Sequence, residues 1–139
     1  MAAVDVSVVT YRPDLDLLER LIASIAEQVG DLDIRVYVQD NSDDSDHCAA
    51  IRALPSLQTG GAFSRVDVVH SGSNMGFGRG HNANAARGDA EWLWVLNQDC
   101  IVEPGVVVAL IAAAERDDAH VAAWELRQIP YEHPKVYDP

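Results

Sequence analysis

Positive charge is the first thing this sequence lacks. Its 139 residues carry 10 Lys or Arg against 22 acids, a net charge of -12, and Lys135 is the single lysine. A general nucleic-acid surface needs a basic stripe, so that class is excluded. An anionic ligand would be repelled at long range. Any phosphate site must therefore be made locally, by a helix N-terminus, an arginine or a metal.

Cysteine is almost absent too. Cys48 and Cys100 lie far apart and form no C-x-x-C, which excludes a zinc or redox motif of that kind and leaves two reduced thiols. The five histidines show no metal-ligand spacing. No run approaches the ~20 apolar residues that span a bilayer. The N-terminus, MAAVDVSVVTY, has no basic region before a long apolar one, so it does not read as a signal peptide. A cytoplasmic location is expected, at most peripheral to a membrane in a full-length protein. There is no G-K-[ST] of a P-loop. A dinucleotide fingerprint belongs after the first strand, where the sequence has Tyr11-Arg12-Pro13-Asp14, so a dehydrogenase is disfavoured.

What is present is alternation. Hydrophobic residues make up 48% of the chain, enough for one folded domain over residues 1–139. Residues 4–10, 34–40, 65–70 and 91–96 are β-rich apolar runs, each followed by a helical pattern. After the first, Pro13-Asp14 starts a helix whose face is Leu18, Leu21, Ile22, Ile25 and Val29, with Gly30 as the stop. After the second, the polar run NSDDSD supplies helix caps. After the third comes a glycine-rich loop, SGSNMGFGRGHN, and a small-residue helix to Gly88. After the fourth, Glu103-Pro104-Gly105 opens a helix with Val107, Leu110, Ile111 and Ala114 on one face. A fifth short run, residues 120–124, is expected to be a strand, and the proline-rich tail irregular. This predicts an α/β fold, a mostly parallel sheet with helices on both faces.

Ligands of such sheets bind beyond the carboxyl ends of the strands. The polar residues cluster there: Thr10-Tyr11, Asp40-Asn41-Ser42, Ser73-Asn74 and Asn97-Gln98-Asp99. Each has two readings. Asp40 is either a turn residue or an acceptor for a ribose hydroxyl or base N–H. Gly76, Gly78 and Gly80 make either a pliable turn or a cradle for phosphate. Arg79 is either a solvated arginine or the cation facing a diphosphate. His81 reads as structural, and Trp92 and Trp94, alternating on one strand, as core. Asp99 either caps a turn or holds Mg2+ or Mn2+ together with phosphate oxygens and water.

The order of motifs is more specific than any one of them. V-S-V-V-T-Y, Q-D-N-S-D, N-x-G-F-G-x-G-H-N and W-L-W-V-L-N-Q-D, running from Val4 to the end, resemble the donor-binding half of a family-2 glycosyltransferase with the GT-A fold. The N-Q-D form and the glycine loop are most similar to bacterial rhamnosyltransferases of cell-surface polysaccharide assembly. The resemblance implies a nucleotide-sugar donor, dTDP-rhamnose or a UDP-sugar, and a glycan acceptor. Thr10 and Tyr11 would line the base pocket, and Asp40 with Asn41 would contact the base or ribose. Asn74, Gly76, Phe77, Arg79, Gly80 and Asn82 would wrap the nucleotide. Asn97 and Gln98 would stand in the place of the family's D-x-D motif, with Asp99 on a divalent metal. Transfer would invert the anomeric carbon, a carboxylate base deprotonating the acceptor hydroxyl.

Two departures are visible. Position 97 is Asn, so metal binding without nucleotide is expected to be weak. No residue matches the family's catalytic base, so none is assigned; the chain is expected to be an incomplete domain lacking the acceptor region. An uncovered sheet edge would favour a homodimer. The alternative is a non-catalytic nucleotide-binding or assembly module.

Overall fold

The computed structural model describes residues 1–28, 30–58 and 61–129. Among them are four strands, β1 (Ala2–Thr10), β2 (Leu32–Asp40), β3 (Arg65–His70) and β4 (Trp92–Leu96), and five helices. The helices are α1 (Leu15–Ala26), α2 (Ser45–Arg52), α3 (Pro55–Gln58), α4 (Phe77–Ala85) and α5 (Val106–Ala114). The sheet order is β3-β2-β1-β4 and every pairing is parallel. The order reverses between β1 and β4, and that is where an open parallel sheet leaves a crevice for a ligand.

Period-2 alternation gives the two faces of the sheet different chemistry. On one face Val4, Val6, Val8, Ile34, Val36, Val38 and Val68 join Leu18, Leu21, Ile22 and Ile25 of α1, Ile51 of α2 and Val107 of α5 in a single core. Burying each such side chain contributes about 1.5–3 kcal/mol. The opposite face is polar. Asp5 and Ser7 of β1 and Gln39 of β2 are buried there, and α4 covers it. Two apolar side chains of β4 on that face, Leu93 and Val95, stay about half exposed at 49% and 46%.

Helices α1 and α2 begin at side-chain caps. Asp14 accepts from the N–H groups of Asp16 and Leu17 at 3.0 and 3.1 Å, and Asp44 caps α2 by accepting from Asp46 N–H at 3.0 Å. The end of α1 differs from expectation. The helix stops at Ala26, because the Gln28 amide donates back to the Ser24 carbonyl and across to Glu103. Gly30 instead carries the positive φ of 122° that turns the chain into β2; Val29 lies outside the described residues.

The fifth strand is a correction. Residues 120–124 form no ladder, and among the described residues β4 is one edge of the sheet, with β3 at the other. Side-chain contacts fix this segment in place of backbone pairing. Trp124 donates its indole N–H to Asp117 at 3.0 Å and meets Trp92 edge to face at 5.9 Å. Asp118 accepts from the backbone N–H of His120. The expected irregular tail, from residue 130 on, lies outside the described residues. Among the described residues no helix is long and apolar enough to cross a membrane. Both cysteines are free thiols.

Candidate functional site

The register of the sheet aligns one polar row. Thr10 pairs with Asp40, and Asp40 pairs with His70, so three side chains at the carboxyl ends of three neighbouring strands stand side by side on one face. They are bonded in sequence. Thr10 Oγ1 donates to Asp40 Oδ1 at 3.0 Å, and His70 Nδ1 lies 3.3 Å from Asp40 Oδ2. Ser42 adds its backbone N–H at 3.2 Å and its hydroxyl at 2.6 Å, both onto Asp40 Oδ1. Asp40 is thus a fully buried carboxylate with four donors, which is how a buried charge is made tolerable. The resemblance gives Asp40 direct contact with a base or ribose. In the structure its oxygens are turned inward and engaged by the protein.

The loops after these strands are stitched together around that row. Ser71 donates its N–H and its hydroxyl to the Asp40 carbonyl, both at 2.9 Å. Asn41 N–H bonds the Thr10 carbonyl at 2.8 Å, and the Asn41 amide reaches the Gly76 carbonyl at 3.2 Å. Asn41 Oδ1 is buried without a hydrogen-bond partner among the described residues. Gly76 itself has φ 83°, a conformation that glycine adopts without strain, and its N–H is held by Asn74 Oδ1 at 2.9 Å. Asn41 therefore sets the height of the glycine loop, and Asn74 sets its turn.

A second linkage spans the switch point. Tyr11 N–H donates to Gln98 Oε1 at 3.1 Å, joining the loop after β1 to the loop after β4. The next residue, Arg12, has φ 44°, the one positive φ outside glycine among the described residues. Its N–H bonds Ser42 Oγ at 2.9 Å, and its guanidinium pairs with Asp43, which keeps that guanidinium firmly protonated. It also sits 5.3 Å from the centre of the Tyr11 ring. Strained backbone of this kind concentrates at binding sites and persists where surrounding contacts overdetermine it.

The glycine loop opens α4. Phe77 is exposed at 57%, and its ring meets His81 edge to face at 4.3 Å. Arg79 and Asn82 are exposed, so they are available to a ligand over the loop. Gly80 is buried: a Cβ there would lie 2.7 Å from Val9 Cγ2, so this glycine lets α4 press onto β1. Behind it Asn84 donates to Ser7 Oγ at 2.9 Å, and Ser7 Oγ bonds His81 Nδ1 at 2.7 Å. Burial holds His81 below its ordinary pKa.

Asn97 and Asp99 are exposed beside Gln98, and Cys100 Sγ donates to the Asn97 carbonyl at 3.2 Å. Burial, then the neighbouring Asp99, pushes the Cys100 thiol up. Among the described residues no group of three or more His, Cys, Asp or Glu assembles for a metal. The Asn97-Gln98-Asp99 turn carries one carboxylate and two amide oxygens, hard donors that suit Mg2+ or Mn2+ shared with phosphate rather than a closed protein cage.

The structure thus brings Thr10, Asp40, Asn41 and Gly76 into one cluster and Tyr11 with Gln98 into another, while Asn74, Asn97 and Asp99 lie on exposed loops and Phe77, Arg79 and Asn82 are exposed on α4. Sequence reasoning missed His70 and Ser71 as members. The signal was available only in part, since both stand at a predicted strand end, but the bond to Asp40 depends on register.

No curated protein matches this chain. Solved structures of TarS from S. aureus are similar. One is 19% identical with a TM-score of 0.63, over 83% of this chain and 20% of that one. A complex of TarS 1–349 with UDP-GlcNAc is 20% identical with a TM-score of 0.61, over 96% of this chain and 39% of that one. TarS 1–349 in complex with UDP is 19% identical with a TM-score of 0.61, over 96% of this chain and 40% of that one. These identities speak for the fold, and this chain spans less than half the length of those structures. The family model described as glycosyl transferase family 2 matches residues 5–135, and the chain belongs to that family.

Proposed function

We propose that this chain forms the donor-binding half of a metal-dependent, inverting glycosyltransferase that moves a sugar from a nucleotide-sugar donor to a glycan acceptor. One observation carries the reading: the Tyr11–Gln98 bond closes the switch point of a parallel sheet with the Asn97-Gln98-Asp99 turn on its rim. The base and ribose lie over the Thr10, Asp40 and Asn41 cluster, and the diphosphate lies toward Asp99 and the exposed Arg79. Asp99 would hold a Mg2+ or Mn2+ ion, which when bound offsets the diphosphate charge in an acidic protein. The chain's own residues fix the two loops and keep the base end of the crevice rigid.

The donor we favour is dTDP-rhamnose, on the N-Q-D and G-F-G-x-G-H-N motifs, for a cell-surface polysaccharide. The UDP and UDP-GlcNAc complexes of TarS keep UDP-sugars as the rival. Exposed Leu93 and Val95 on the β4 face also support self-association of the chain. A thermal-shift panel of dTDP-rhamnose, UDP-GlcNAc and NAD, with and without Mn2+, tests the reading. Stabilisation by a nucleotide sugar, larger with Mn2+, is expected. No shift with any nucleotide sugar overturns it.

A further inference from the structure

We propose that His70 reads the base of the nucleotide, and that Asp40 acts on the ligand through it. This rests on the nucleotide-sugar reading above and names a contact within it.

Asp40 cannot offer an oxygen to a ligand as the structure stands. Its side chain is 0% exposed, and four donors already converge on its two oxygens. His70 is next in the row, and its side chain is 21% exposed. A carboxylate only accepts, so the 3.3 Å contact places the hydrogen of a neutral His70 ring on Nδ1. Nε2 is then an acceptor, with its tautomer fixed from behind. No described residue bonds Nε2.

Position agrees with chemistry. The order β3-β2-β1-β4 puts the ends of β3 and β4 three strand spacings apart, about 14 Å at the usual separation. A nucleoside diphosphate is comparably long when extended. With its diphosphate at Asp99 beyond β4, its base arrives at the Thr10–Asp40–His70 row. An acceptor with a fixed lone pair suits a base whose ring nitrogen carries hydrogen. Uracil and thymine have N3–H. Cytosine has a bare N3 and would set two lone pairs against each other. The row thus selects a uracil or thymine nucleotide over a cytosine one.

UDP and CDP differ only in that base edge, so they are the probes. Calorimetry of the chain with each, in the presence of Mn2+, is expected to show UDP bound on the order of tenfold more tightly than CDP. The informative variant is His70→Asn. Its amide keeps an N–H where Nδ1 was, so Asp40 stays satisfied, but nothing remains where Nε2 was. His70→Asn should melt near the wild type and bind UDP and CDP about equally. A residue that merely supported Asp40 would leave the UDP preference intact in this variant. His70→Ala is the second case and should lose the same preference. Wild type binding CDP as well as UDP overturns the inference, as does His70→Asn retaining the wild-type ratio. Wild type binding neither nucleotide overturns the nucleotide-sugar reading itself, and the inference falls with it.

Discussion

The backbone N–H of Tyr11 and the side-chain oxygen of Gln98, 3.1 Å apart, tie together two loops 87 residues distant in sequence. They leave β1 and β4, the strands on either side of the switch point. A hydrogen bond of this kind contributes about 0.5–1.5 kcal/mol net. Gln98→Ala should therefore cost little in melting temperature but weaken UDP binding by about 2- to 13-fold, as the Tyr11 loop loses its anchor. Gln98→Glu keeps an acceptor oxygen and should retain most of the loop order. Titration of UDP into both variants checks this, and equal affinity in Gln98→Ala and wild type contradicts it.

Gly80 shows how the glycine loop is fixed to the sheet. A Gly→Ala change inside a helix ordinarily stabilises by about 0.5–1 kcal/mol. Here the new methyl would lie 2.7 and 2.9 Å from the two Val9 methyls, distances at which something must move. Overpacking costs about 1–3 kcal/mol, so Gly80→Ala should destabilise on balance. The pair Gly80→Ala with Val9→Ala should be less unstable than the sum of its single changes. Denaturant midpoints of the four proteins measure the coupling, and strict additivity would remove the close contact as the cause.

These two sites show what the sequence made legible. Periodicity located β3 to the residue and the other three strands to within two residues, because a strand buried by its neighbours must be apolar. It failed at residues 120–124, where an apolar run packs Trp124 against Trp92 without joining the ladder. Apolarity says nothing of which backbone a segment pairs with, and here residues 120–123 stay exposed while only Trp124 is partly covered. The strand-end residues were recognised for the same reason as the strands, as abrupt polar stops. Their packing partners were not. Gly80, expected in the ligand-wrapping loop, also lets α4 press onto β1, a contact no motif announces. His70 was passed over because its partner, 30 residues away, is set by the register of β2 on β3.

His81 predicts a pH effect. Burial lowers its pKa from the ordinary 6.5. Its Nδ1 has Ser7, but Nε2 is buried with no partner among the described residues, so a charged ring would be poorly served. The unfolded chain then binds the proton more readily than the folded one. Stability from the neutral ring is whole above pH 6.5 and declines as pH falls below it toward the lower folded value. Most carboxylates titrate below about pH 5, so the upper part of this window reports histidine. Melting temperature should fall between pH 7 and pH 5.5 in the wild type and fall less in His81→Gln. Parallel curves would show that other groups carry the acid sensitivity.

Asp99 makes the last prediction, because the turn it belongs to has one carboxylate where the family's D-x-D motif has two. Asn97 brings no charge, and the described residues assemble no metal-binding group of three. A hard cation held by a single carboxylate needs further oxygens, and a diphosphate is their natural source. Mn2+ titrated into the chain alone should therefore bind weakly, in the millimolar range, and at least about tenfold more tightly with UDP present. Linkage requires the reciprocal effect, so UDP should gain the same factor from Mn2+. Asp99→Ala should erase that mutual gain while leaving the metal-free affinity for UDP close to wild type, since the base end of the crevice is untouched. Calorimetry in the four combinations of metal and nucleotide measures the coupling. Micromolar Mn2+ binding to the chain alone, or full coupling surviving in Asp99→Ala, would place the metal on other residues.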